Sequence, residues 1–166
     1  MIGNDIVDLE LAQIESDWKR KGFLNKIFTS SEQLTIFKSE FPQQMVWNLW
    51  SRKEAAYKVF NRQTKQRLFN PTQLECFFVH QKDNFAYGMV RLKKILYHTK
   101  TEVTSEFIYS EAVCNSMDFD KITPILNPIM IKKEYGIPFY FDEKQLVNKP
   151  LSITHHGRFM KIITII

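Results

Sequence analysis

The chain has 166 residues, 44% hydrophobic and 25% charged, a balance that suits one domain over residues 1–166 and excludes a disordered polypeptide. No stretch reaches the roughly 20 apolar residues of a membrane span, and the acidic opening Met1–Glu10 lacks a signal peptide's basic segment, so no membrane partner and a cytoplasmic location are expected. The net charge of +5 favours an anionic partner, yet the basic residues are scattered singly and no nucleic-acid-binding motif is present, so nucleic acid is not the expected partner.

Residues 1–9 read as a short strand, with branched apolar residues around Gly3. A glycine there admits another backbone or marks a bulge. Asp5 is either a carboxylate kept for a metal or a turn former after Gly3 and Asn4. Residues 10–24 are of mixed helical character. Thr29 and Glu32 form a capping box that opens a helix over Ser30–Phe41, with Pro42 ending it.

Trp47–Phe60 is the central helix. At 3.6 residues per turn, Val46, Leu49, Trp50, Ala56, Tyr57 and Phe60 gather on one side and Trp47, Ser51, Glu54 and Lys58 on another. Lys53 points into the apolar stripe, where it either meets an anion or extends its head to water. The basic loop Asn61–Arg67 follows, and Arg62, Lys65 and Arg67 there either cradle a phosphate or are solvated.

Beyond Asn70 and Pro71 the pattern alternates. Strands are expected at Leu74–His80, Phe85–Leu96, Glu106–Cys114, Ile129–Lys132, Pro138–Phe141, Leu151–His155 and Phe159–Ile166, with a short helix within Met117–Leu126 capped by Ser116 or Asp118. A helical first half packed on a mainly antiparallel sheet is an α+β fold. Ser152 and Thr154 share one face of their strand, and with His155 they form a polar lip before a turn at Gly157. His155 and His156 are adjacent, point to opposite faces and do not suggest a metal site. Cys76 and Cys114 lack metal or redox spacing and read as free thiols.

Three segments combine: Gly3-Asn4-Asp5-Ile6-Val7, Trp50-Ser51-Arg52-Lys53-Glu54-Ala55-Ala56-Tyr57-Lys58 and Ser152-Ile153-Thr154-His155. Together they resemble the 4′-phosphopantetheinyl transferase superfamily, and Phe28-Thr29, Glu32 and Gly136-Ile137-Pro138 resemble its connecting segments. With the Ser-x-Thr-His segment last, the order is similar to the single-domain holo-acyl-carrier-protein synthase type. The resemblance implies transfer of the phosphopantetheine arm of coenzyme A to a serine of an acidic acyl carrier protein of fatty acid biosynthesis, with release of 3′,5′-ADP. It implies Mg²⁺ on Asp5 and Glu54, with Glu54 and Lys58 as catalytic residues and either Glu54 or a metal-bound water as the proton acceptor. Lys53, Arg62, Ser152, Thr154 and His155 are then the coenzyme A contacts. A homo-oligomer, in that type a trimer with sites between subunits, is expected.

The chain departs from the family pattern in three ways. It has Asn61 and Arg62 where a Gly-rich turn follows the helix, Val7 where two-domain members carry a third acid, and extra length between Asn61 and Pro138. The alternatives are a basic binding module for an acidic protein or nucleic acid, and a weak member dedicated to one secondary-metabolism carrier.

Overall fold

The structure, a computed structural model, describes residues 1–67, 69–126, 131–142 and 147–166. Strand β1 (Ile2–Asp8) opens the chain and runs directly into α1 (Leu9–Glu15). Asp8 ends the strand and caps the helix, its side chain accepting from the Glu10 and Leu11 amides. Helix α2 (Phe23–Ile27) and α3 (Ser30–Lys38) follow, and the capping box of Thr29 and Glu32 is formed as expected.

The long helix α4 spans Pro42–Thr64. Pro42 therefore begins this helix instead of ending α3, because the first helical position needs no amide hydrogen. The helix also absorbs Asn61–Thr64 from the expected basic loop and closes at Lys65 in the left-handed region, φ 60°. The side that carries Trp47, Ser51, Glu54 and Lys58 is largely enclosed: Trp47 and Ser51 are buried, while Glu54 and Lys58 are half-buried.

The described strands form two antiparallel sheets. The first comprises β1, β2 (Leu74–Lys82), β3 (Phe85–Leu92), β4 (Ile95–Val103) and β5 (Phe107–Val113), in the order β1-β5-β4-β3-β2. The second comprises β6 (Ile122–Pro124), β7 (Ile131–Glu134), β8 (Ile137–Asp142), β9 (Val147–His156) and β10 (Phe159–Ile165), in the order β6-β10-β9-β8-β7. The expected strand Phe85–Leu96 is a hairpin instead, turning at Lys93 (φ 57°), and β4 pairs back on β3. The expected short helix is a 3₁₀ turn over Ser116–Lys121, capped by Asn115 and not by Ser116 or Asp118. Residues 129 and 130 of the expected strand Ile129–Lys132 lie outside the described residues.

Helix α4 packs along the first sheet. Its N-terminal half meets α1–α3 around Val46, Trp47, Leu49, Phe28 and Ile36, and its C-terminal half lies on the sheet through Ala56, Val59, Phe60, Val90 and Tyr97. No described helix is long and apolar enough to cross a membrane.

The two sheets meet along β1 and β9. One edge of β1 pairs with β5, and its other edge points amides outward at every second residue. Side chains of β9, also at every second residue, accept them: Asn4 N–H donates to Ser152 Oγ (3.0 Å), Ile6 N–H to Thr154 Oγ1 (3.0 Å) and Asp8 N–H to His156 Nδ1 (2.8 Å). Below this seam Arg158 grips Asp8, Nε to Oδ2 and Nη2 to Oδ1, both at 2.9 Å.

Candidate active site

Strand β1 crosses α4 at Gly3, where a β-carbon would lie 2.1 Å from the Ala55 carbonyl oxygen. Only glycine permits this approach. It sets Asp5, two residues along the strand, against Glu54 and Lys58, one turn apart on the helix. Ser51 Oγ donates to the Asp5 carbonyl (3.2 Å), and Lys58 Nζ donates to the Asn4 carbonyl (2.7 Å) and lies 3.6 Å from Asp5 Oδ1. Thr154 Oγ1 donates to the same carboxylate oxygen at 3.3 Å.

Asp5 and Glu54 open onto a cleft of about 440 Å³ whose walls also include Trp47, Trp50, Arg20 and His155. Burial raises the pKa of Asp5 to about 6 against the opposing pull of Lys58. Burial, with the Asp5 charge second, raises that of Glu54 to about 7, and Lys58 again opposes. Two carboxylates thus share a site with one ammonium, and neither is fully compensated. Among the described residues no cluster of three or more His, Cys, Asp or Glu side chains is assembled. The candidate cation donors are therefore this carboxylate pair.

The other expected contacts sort differently. Lys53 is fully buried, and its ammonium donates to Glu32 Oε2 (2.7 Å) and to the Ile27 and Pro71 carbonyls (2.8 Å each). All three of its hydrogens are committed inside the fold, so the expected phosphate contact is corrected to a structural one. Arg62 is also turned inward, with Nη1 donating to the Pro138 carbonyl (2.8 Å) and Nη2 to that of Leu151. It fastens α4 to the second sheet and does not replace the missing Gly-rich turn. Ser152 and Thr154 are buried, with their oxygens accepting β1 amides, so their expected role as coenzyme A contacts is corrected to that of the inter-sheet seam. His155 alone of that segment is exposed on the cleft. Arg20 and Trp47 were not legible as cleft residues. Arg20 lies in a stretch of mixed helical character with no chemical signal, and Trp47 shares a helix side with Glu54 without any pattern that marks a cleft.

The family model described as the 4′-phosphopantetheinyl transferase superfamily matches residues 1–114. The chain belongs to that superfamily. The match contains Asp5, Glu54 and Lys58, and the activity that goes with this membership is that of a 4′-phosphopantetheinyl transferase. A holo-[acyl-carrier-protein] synthase of Fusobacterium nucleatum subsp. nucleatum is 32% identical over 111 residues, covering 67% of this chain and 88% of that protein.

Two solved structures share the superfamily fold with this chain. One, described as Chronobacterium ammoiniagenes apo-ACPS, has a TM-score of 0.52 at 14% identity, covering 68% of this chain and 93% of the other. The holo-[acyl-carrier-protein] synthase of Thermotoga maritima has a TM-score of 0.50 at 14% identity, covering 98% of this chain and 81% of the other.

Proposed function

We propose that this transferase moves the 4′-phosphopantetheine arm of coenzyme A onto a serine hydroxyl of an acidic acyl carrier protein, with 3′,5′-ADP as the second product. The observation that carries the reading is the convergence of Asp5 on β1 with Glu54 and Lys58 on α4, the two carboxylates facing one cleft. A plain binding module needs no such trio, and the superfamily membership favours the transferase.

Phosphoryl transfer depends mostly on positioning and charge neutralisation. Magnesium fits the donor set, because both candidate donors are carboxylates and burial leaves them short of positive charge. Asp5 and Glu54 would hold it, and when bound it supplies neutralisation of the pyrophosphate. Lys58, 31% exposed beside Asp5, offers its ammonium to the leaving phosphate. The serine oxygen bonds to the phosphorus bearing the pantetheine, the bond from that phosphorus to 3′,5′-ADP breaks, and the hydroxyl proton passes to the Glu54 carboxylate. His155 and Arg20, on the wall of the cleft, would receive nucleotide phosphates.

The +5 charge suits docking of an acidic carrier. A homo-oligomer, by resemblance a trimer, and a cytoplasmic location in fatty acid biosynthesis go with this reading, and light scattering of the purified chain tests the assembly. Intact-mass spectrometry of an apo acyl carrier protein incubated with the chain, coenzyme A and Mg²⁺ tests the reaction. A gain of one phosphopantetheine, lost with EDTA, is expected. No gain on any of several carriers would overturn the proposal.

A further inference from the structure

On the face of α4 opposite the Asp5–Glu54 cleft lies a second cleft, of about 650 Å³. Arg52 and Glu54, two positions apart, point about 200° from each other around the helix. Arg52 lines the second cleft and is 1% exposed. Its Nε donates to Thr99 Oγ1 (2.9 Å) and its Nη2 to the Phe77 carbonyl (2.6 Å). Both acceptors are neutral. Nη1 has no acceptor among the described residues, and no ion pair among them includes Arg52. Gly88 makes room for this group, since a β-carbon there would lie 1.6 Å from Nη2.

The charges around it leave an excess. Glu32, the buried acid nearby, already receives Lys53 Nζ and the Thr29 amide on Oε2 and the Cys76 amide on Oε1. Cys76 is no counter-ion, because burial pushes its thiol up to about 12. Glu40, the other acid on the cleft, is exposed and screened by water. Arg52 and Lys53 against Glu32 leave one buried positive charge without a counter-ion among the described residues, a costly arrangement for a fold. Met45, Leu49, Ala86 and Val103 form an apolar wall beside Arg52, Phe41 and Phe78 are exposed at the rim, and polar residues such as Gln44, Asn48, Gln81 and Asn84 line the rest of the cleft.

We propose that this cleft binds a small amphipathic carboxylate of the medium-chain fatty acid class, its head on Arg52 and its chain against Met45, Leu49 and Ala86. A single negative charge cancels the excess, whereas a dianionic phosphate would reverse it. The apolar wall of Met45, Leu49, Ala86 and Val103 favours a ligand with a hydrocarbon body, and the volume lies within the roughly 300–1,000 Å³ of small-molecule sites.

The test is calorimetric titration of the full chain with decanoate below its micellar concentration, beside decan-1-ol and inorganic phosphate, with the Met45 methyl followed by NMR. Saturable one-to-one binding of decanoate that shifts the Met45 methyl is expected, with decan-1-ol at least roughly tenfold weaker because it forgoes a charged hydrogen bond. Arg52→Gln is expected to bring decanoate down to the level of the alcohol. Should that variant fail to fold, Met45→Trp narrows the cleft with Arg52 intact and is expected to weaken decanoate by at least roughly tenfold. Absence of saturable binding, equal binding of acid and alcohol, an unmoved Met45 methyl, or phosphate acting as well as decanoate would each overturn the proposal.

Discussion

Gly3 and Ala55 set the spacing of the candidate site: a β-carbon on Gly3 would stand 2.1 Å from the Ala55 carbonyl oxygen and 3.0 Å from Lys58 Cβ. The first obstacle is backbone and cannot rotate aside. Gly3→Ala is therefore expected to push β1 off α4, at a cost of about 1–3 kcal/mol in overpacking, and to reduce turnover by parting Asp5 from Glu54. Chemical denaturation and the carrier mass assay check the two effects. An unchanged midpoint would mean that the strand moves freely.

Glu54→Gln separates catalysis from folding. Removing the proton acceptor is expected to lower turnover roughly 10²–10⁴-fold. The folded pKa of Glu54, about 7, lies above its ordinary value of 4.5, so its charge opposes folding above neutrality. The variant should accordingly melt no lower than the parent at pH 8. Retained turnover would remove Glu54 from the chemistry.

The same carboxylates give a pH dependence. Asp5, raised to about 6, and Glu54, raised to about 7, bind protons more tightly folded than unfolded. Their contribution to stability therefore falls as pH climbs from about 4 to about 7. A divalent cation bound to the deprotonated pair reverses that loss. The Tm gain from MgCl₂ over EDTA is expected to be larger at pH 8 than at pH 5 and to vanish in Asp5→Asn. Equal gains at both pH values would show that the ion binds elsewhere.

What the sequence revealed was local or strictly patterned. The Thr29–Glu32 box lies within one turn, Gly3 and Asp5 are a strand anomaly with a single close partner, and most strands alternate clearly. What stayed hidden depended on distant partners. Lys53 finds Glu32 from 21 residues away, and Ser152 meets the Asn4 amide across 148. No periodicity distinguishes a hydroxyl that binds a ligand from one that completes a neighbouring sheet. The Lys93 turn was missed because two lysines stand where glycine or asparagine usually marks a left-handed bend.

Lys53→Met tests whether that lysine serves the fold or the ligand. Both members of the Lys53–Glu32 pair are buried at 2.7 Å, and breaking a buried pair from one side costs about 3–5 kcal/mol. Urea denaturation is expected to show a loss of that size. Turnover measured below the lowered Tm should keep the parental KM for coenzyme A. A raised KM with unchanged stability would return Lys53 to the substrate.

Thr154→Val keeps the shape of the seam and deletes its chemistry. The Ile6 amide loses its acceptor, which leaves a buried donor unpaired at about 1–3 kcal/mol. Asp5 loses a hydrogen bond that favours its charged form, so its pKa moves above about 6. Protons then compete harder for the carboxylate pair, and the acid limb of the rate profile is expected to shift to higher pH, with KM for coenzyme A held at high pH. A threonine that contacted the nucleotide directly would give the reverse, a raised KM at every pH and an unmoved limb. Steady-state kinetics between about pH 5.5 and pH 8.5, beside a thermal melt, distinguishes the two.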